Sequence, residues 1–311
     1  MRKKENKLSM TLHKIKEERT TYLMLLPNLI MFVVFTIYPI AWALSFMFYE
    51  YKGFGEKKWI GIDNFIRIFT RDHDFWDSVI HTLEYVGLKL IYTLPLALLL
   101  AVLLQKSCRR NSVAQSVIFM PTIMSQAVMA LIFYLIFNTY NGSANQYLQS
   151  LGIINQPINW LGVNLAMVTV IIVAVWGGIG NYMIYFIAGL TGIGEEIYES
   201  ARVDGAGDIR IFFSITLPML APVLKMILML ALVISFMDYQ SIMVLTGGGP
   251  LGATNVMFLY VYQLFFPISP GSRAPQEFGY GAAVSLVCAA IVGIFVGIYL
   301  ILARRLDNLT E

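Results

Sequence analysis

One carboxylate, Asp238, interrupts the long apolar run from Met219 to Leu245. A charge in such surroundings is costly and marks a functional candidate. Read as a helix, the run puts Ser235, Asp238, Tyr239 and Ile242 on one face, because residues three and four apart are neighbours. A second run, Asn164–Leu190, supplies Trp176, Gly178, Gly180, Asn181 and Tyr182 at a comparable depth. Aromatic rings offer a flat apolar platform, while amide, hydroxyl and carboxylate groups exchange hydrogen bonds with a ligand rich in hydroxyls. The competing reading makes Asp238 a buried structural acceptor between helices, and Trp176 and Tyr182 ordinary packing. Glu84, Lys89 and Lys225 also lie inside apolar runs. A structural pair or snorkelling toward water accounts for Glu84 and Lys89, and snorkelling for Lys225 near the end of its run.

Covalent chemistry has no candidates. A phosphate cradle needs Gly-x-x-x-x-Gly-Lys-Ser/Thr, and the nearest stretch, Gly53-Phe54-Gly55-Glu56-Lys57, has the wrong spacing. His13, His73 and His81 are scattered without metal-ligand spacing. No nucleophile elbow or pair of catalytic carboxylates is present, so no catalytic or metal-binding residue is assigned. Cys108 and Cys288 form neither a disulfide nor a metal pattern and are expected to remain separate thiols. The net charge of +3 is too slight to suggest nucleic acid.

The elements that must carry these residues follow from composition. The 311 residues are 58% hydrophobic and 13% charged, against about 25% charged in soluble domains. The chain therefore reads as an all-α polytopic membrane protein. Six runs are long enough to cross a bilayer: Tyr22–Phe48, Thr82–Leu104, Val113–Phe137, Asn164–Leu190, Met219–Leu245 and Tyr280–Ala303. The first follows a basic segment, 1–20, but is too long for the apolar core of a secretory signal and lacks a small-residue cleavage site. It is expected to stay as a membrane helix, with Pro27 and Pro39 as tolerated kinks. Residues 21–311 then form a single six-helix domain, with no internal repeat and no room for a large soluble domain. With the N-terminus in the cytoplasm, inner segments carry fourteen Lys or Arg and outer segments six. That bias follows the positive-inside rule, so both termini and the loop 191–218 are expected on the cytoplasmic side.

The loop holds the sequence Glu195-Glu-Ile-Tyr-Glu-Ser-Ala-Arg-Val-Asp-Gly-Ala-Gly-Asp208. Glu195, Glu196 and Glu199 suit the positive end of a helix dipole. Tyr198, Ala201 and Ala206 give the helix an apolar stripe, with Arg202 and Asp208 on its wet side. Gly205 stands where the helix should stop, since glycine takes the left-handed conformation at low cost. Pro218 marks the start of the next helix. Glu199-Ser200-Ala201, Asp204-Gly205-Ala206, Ile215 and Leu217-Pro218 resemble the EAA loop of permease subunits in bacterial ATP-binding-cassette (ABC) importers, with Ser200 in place of an alanine. Trp59 to Phe65, Leu245 to Pro250 and Phe278 to Ala283 resemble, in order, outer-loop and helix-start elements of the sugar branch, the maltose-type permeases.

This resemblance implies a type I ABC importer permease fold in the bacterial cell membrane. It implies a second, homologous permease, two cytoplasmic ABC ATPases that hold the ATP and magnesium, and an extracytoplasmic solute-binding protein. No cofactor is expected in this chain. Glu195, Glu199, Ser200, Ala201, Asp204, Gly205, Ala206, Ile215, Leu217 and Pro218 would couple it to an ATPase. Ser235 and Asp238 fall on positions resembling sugar-contacting asparagines, so the cargo would be a carbohydrate, held also by Trp176, Gly178, Asn181, Tyr182 and Tyr239. Two readings compete. One keeps the importer but changes the cargo to polyamine, phosphate or glycerol phosphate; the fourth and fifth helices lack the arginine that a phosphate would favour. The other is an autonomous channel or ion-coupled carrier, which would show more intramembrane charges or discontinuous helices.

Overall fold

The computed structural model describes residues 19–106, 108–266 and 276–307. The basic segment expected at 1–20 lies outside them except for Arg19 and Thr20. Helix α1, Thr20–Phe48, is a 29-residue span with no buried side chain. Its ladder widens to a π turn at Val33–Ile37, next to Pro39, whose ring clashes with the carbonyl four residues back and whose nitrogen donates nothing. A two-stranded antiparallel hairpin follows, β1 (Tyr49–Glu50) and β2 (Lys58–Trp59), then α2, Asp63–Thr70. Asn64 locks α2 to the hairpin by donating to the carbonyls of Met47 and Tyr49 at 2.8 and 3.2 Å.

Helix α3, His73–Leu104, starts well before the expected Thr82. Asp72 sets its start, its Oδ1 accepting from the Phe75 N–H at 3.0 Å. Residues 73–81 are too polar to register as an apolar run, yet they continue the helix past its membrane-crossing part.

The expected third span is not one helix. α4 (Arg109–Ile123) and α5 (Gln126–Ile136) meet at 98°. Pro121 lies in the last turn of α4, and the Ser125 hydroxyl begins α5 afresh by accepting from the Val128 N–H at 3.3 Å. After α6 (Ser143–Ser150) comes α7, Ala166–Thr191, an unbroken span that packs along α3 and α4. The loop forms α8, Glu195–Val203, as expected in position and length. Ala206 lies beyond its end and so is not part of its apolar stripe.

The fifth run is also corrected. α9 (Asp208–Met219), with a π turn at Phe212–Thr216 before Pro218, meets α10 (Ala221–Phe236) at 68°. Residues Met237–Tyr239 then leave helical geometry before α11, Gln240–Leu245. Asp238 therefore sits in an unwound break, and the single face shared by Ser235, Asp238, Tyr239 and Ile242 does not exist. α12 (Met257–Phe265) is a short helix, and α13, Phe278–Asp307, is the last span.

Two apolar clusters fill the bundle. The first includes Phe75, Tyr85 and Val86 of α3, Val170 and Val173 of α7, and Phe236, Ile242 and Leu259. The second, toward α8, includes Leu94, Ala97 and Ala101 of α3, Met183 and Phe186 of α7, and Leu220 and Ile227. Along α3 and α7 the seam between the clusters falls near Lys89 and Gly178. At the hairpin end the elements are tied by polar contacts: Asp72 Oδ2 accepts from the hydroxyls of Tyr260 (2.6 Å) and Tyr280, and the Arg67 guanidinium lies 3.8 Å over the Tyr280 ring while pairing with Glu277. Burial and the neighbouring Asp72 carboxylate push the Tyr260 phenol far above its usual range.

Candidate functional site

A cavity of about 150 Å³ opens at the seam. Both broken spans reach it. Met124 and Gln126 flank the α4–α5 break, Asp238 comes from the α10–α11 break and Ser241 from the first turn of α11, Lys89 projects from α3, and Gly178, Asn181 and Tyr182 come from α7. Irregular backbone inside a membrane is tolerated where it is buried in protein or lines a cavity, and both breaks obey that rule. Small residues let α7 approach its neighbours. A Cβ at Gly180 would stand 2.4 Å from the Ile118 carbonyl oxygen of α4, so backbone meets backbone there.

Asp238 has its partners inside the protein. Its Oδ2 accepts from the Tyr85 hydroxyl at 2.5 Å and from Lys89 Nζ at 2.9 Å, and its Oδ1 accepts from the Ser241 hydroxyl at 2.9 Å. The side chains of Lys89 and Asp238 are 7% and 4% exposed. Two charges so far from water persist because each neutralises the other and two hydroxyls also donate to the carboxylate.

The structure gathers Gly178, Asn181, Tyr182 and Asp238 at this cavity and leaves three expected residues off its lining. Trp176 turns its ring edge-on to Phe133 at 5.0 Å, Tyr239 lies against Tyr262 at 5.6 Å, and Ser235 is fully buried. The cavity also has polar residues that the sequence reading did not place there: Lys89, Gln126 and Ser241, with Tyr85 behind Asp238. Lys89 carried a readable signal, since a buried lysine needs a carboxylate and Asp238 was the other charge deep in a span. Glu84, the partner weighed for it, is exposed. Lys225 lies in α10, where its carbonyl accepts from the Tyr299 hydroxyl of α13 at 2.5 Å.

The loop residues form a second arrangement. Gly205 has φ +79° and closes α8 with a Schellman motif: its N–H donates to Arg202 O, and that of Ala206 to Ala201 O, both at 3.0 Å. Ser200, Ala201, Asp204 and Ile215, with Glu196 and Ile197, border an open depression of about 360 Å³. Glu195, Glu199, Asp204 and Gly205 are exposed, as is Pro218, while Ala206 and Leu217 are half-buried. Ile197, at the edge of that depression, and Tyr198 pack on the second apolar cluster. The Tyr198 and Thr216 hydroxyls are 3.4 Å apart, linking α8 to α9.

Among the described residues, four helices and two bent pairs are long and apolar enough to cross a membrane; with a polar cavity lined from the α4–α5 and α10–α11 breaks and an exposed amphipathic helix on a loop, they make this a polytopic α-helical membrane protein. The family described as "Binding-protein-dependent transport system inner membrane component" matches residues 93–308, and the chain belongs to it. It is 32% identical over 277 residues to the arabinooligosaccharides transport system permease protein AraP of Bacillus subtilis, covering 87% of this chain and 84% of that one. It is 30% identical over 293 residues to the trehalose/maltose transport system permease protein MalF of Thermococcus litoralis, covering 94% and 96%. A crystal structure of a bacterial ABC transporter involved in the import of the acidic polysaccharide alginate contains a chain of the same fold. Its TM-score is 0.81 at 24% identity, covering 95% of this chain and 99% of that one. The expected permease fold and membrane location therefore stand. Tyr85 and Lys89 lie just ahead of the matched family segment.

Proposed function

We propose that this permease subunit moves a carbohydrate, delivered by an extracytoplasmic binding protein, into the cytoplasm. It does so with a second permease and two ABC ATPase subunits that supply ATP and magnesium. α8 faces the cytoplasm and seats in a groove of one ATPase. The observation that carries the proposal is the form of α8: a capped helix whose motif residues line an exposed depression while its inner face is fixed to the bundle.

That form suits transmission of force. ATPase closure displaces α8; Ile197 and Tyr198 pass the displacement to the cluster shared by α3, α7 and α10. α3 and α7 carry Lys89 and Asn181, and α10 leads into the break that holds Asp238. Interlocked side chains shift between discrete arrangements instead of deforming smoothly, so the cavity opens to one side or the other. Carbohydrate hydroxyls find amide, hydroxyl and carboxylate partners there, with the Tyr182 ring beside them.

The two breaks and the buried ion pair are also features of ion-coupled carriers. An exposed, capped α8 would have no role in such a protein. The test is to purify the chain alone and coexpressed with its second permease and ATPase, with the binding protein added for uptake. Alone it should hydrolyse no ATP; together they should copurify, and uptake into proteoliposomes should require ATP. ATP-independent uptake by this chain alone would sink the proposal.

A further inference from the structure

The carbohydrate reading leaves the charge of the cargo open. We infer that the cargo is uncharged, and that Lys89 makes the site so by neutralising Asp238. The inference rests on the function proposed above.

Of the described residues that line the seam cavity only Lys89 and Asp238 are charged, and they touch at 2.9 Å. The remaining polar groups, including those of Gln126, Asn181 and Ser241, are neutral donors and acceptors. An anionic cargo would give up its water next to a carboxylate, where the one cation is already engaged. A cationic cargo would meet the ammonium, with the carboxylate taken. A neutral polyol meets neither penalty, because it needs hydrogen bonds and not a counter-ion.

A second cavity agrees independently. α5 and α11 pack side by side. At one end they bring Gln126 and Ser241 to the seam. Toward the other end, about 370 Å³ of space is bordered by Tyr134, Asn138, Thr139, Tyr140 and Thr246, with no charged residue among the described residues that line it. The two cavities on this helix pair thus share one character: aromatic, amide and hydroxyl groups with no net charge. The cavity at the hairpin end differs, opposing Lys52, Arg67 and Arg71 to Glu50, Asp63 and Glu277, and neither α5 nor α11 lines it.

The pair can be unbalanced in either direction. Asp238→Asn leaves a buried ammonium without its carboxylate and makes the cavity an anion acceptor. Lys89→Gln does the converse. The assay is thermal unfolding of the assembled transporter in detergent without its binding protein, so that only the membrane site selects. The probes are neutral arabino- and malto-trisaccharides, trigalacturonate, the glucosamine trisaccharide, and sn-glycerol 3-phosphate, each titrated to millimolar concentrations. A neutral trisaccharide should raise the Tm of the wild type, and the charged probes should not. Asp238→Asn should gain about tenfold or more in affinity for trigalacturonate, and Lys89→Gln a similar gain for the glucosamine trisaccharide. The double variant should gain neither. Size-exclusion profiles verify assembly, and either single variant that assembles suffices. Wild-type stabilisation by trigalacturonate or glycerol phosphate equal to that by neutral sugar overturns the inference alone, as does the absence of a gain in an assembled single variant. No response of the wild type to any probe overturns the carbohydrate reading, and this inference with it.

Discussion

Asp238 has three donors on its two oxygens and 6% of its surface exposed. Glu199, on α8, is exposed and has no hydrogen-bond or ion-pair partner among the described residues. Both are carboxylates at positions singled out for function, yet one is satisfied by the fold and the other is left for something outside it. The contrast extends to their neighbours. Around Asp238, residues of α3 and of the α10–α11 break hold one another, so altering one disturbs the rest. Around Glu199, α8 is complete with its glycine cap and its inner apolar contacts, and its outer face is dispensable to this chain. A substitution in the first region should be read in folding as well as transport. In the second it should be read in transport alone.

The largest effect belongs to Asp238→Ala. It leaves the Lys89 ammonium buried without a counter-charge, and breaking a buried pair from one side costs about 3–5 kcal/mol. The expected result is a lowered Tm of the purified complex together with weakened uptake. Truncating both members should cost less than the sum of the two single changes, because the second removes a charge already stranded. Strict additivity across that cycle would show that the pair contributes nothing as a pair.

Gly205→Asp comes next. Apart from its two chain neighbours, no atom of the described residues lies within 4 Å of a Cβ at this position, so the new side chain meets chiefly left-handed strain of roughly 1–2 kcal/mol. The variant should reach the membrane at nearly normal level. Transport should nevertheless be lost, because a charged side chain would stand on the surface that an ATPase must press against. Gly205→Ala should be milder. Normal sugar-stimulated ATP turnover in Gly205→Asp would show that α8 is not where force passes.

The same contrast explains what could be read from the sequence. The bounds of α8 depend on neighbours in sequence: acidic residues for its first turn and a glycine just past its end, all between Glu195 and Gly205. The pair Lys89–Asp238 joins residues 149 apart, and no local rule reaches that far. The breaks failed for another reason. Hydropathy is continuous through Val113–Phe137 and Met219–Leu245, and a window that averages it passes over a bend. Ser125 was a usable local signal, as a capping residue amid apolar ones. Met237–Tyr239 offered less, since two of the three partners that hold the Asp238 carboxylate in this break, Tyr85 and Lys89, lie 153 and 149 residues away. The expected face of Ser235, Asp238 and Tyr239 failed with the helix it assumed, although Asp238 itself stayed at the cavity.

Glu199→Gln should have the smallest effect on the fold and for that reason isolates the docking term. The substitution keeps size and hydrogen-bonding capacity and removes one charge. Glu199 lies in the second turn of α8, beyond the first turn where the dipole favours an acid most, and it contacts no cation among the described residues. Unfolding of the isolated chain should therefore shift by no more than about 0.5 kcal/mol, as for other surface changes. If α8 docks on an ATPase through its outer face, that charge is met by a donor on the partner. Losing a charged hydrogen bond at an interface is worth about 1.5–3 kcal/mol, or roughly ten- to a hundredfold in the affinity of permease for ATPase. The two quantities are measured on one preparation, by thermal unfolding without the ATPase and by titration with it. A large loss of affinity with an unchanged Tm would place Glu199 in the interface. A shift in Tm with unchanged affinity would mean that Glu199 supports α8 itself, and the distinction between an inward-satisfied cluster and an outward-facing loop would fail at this residue.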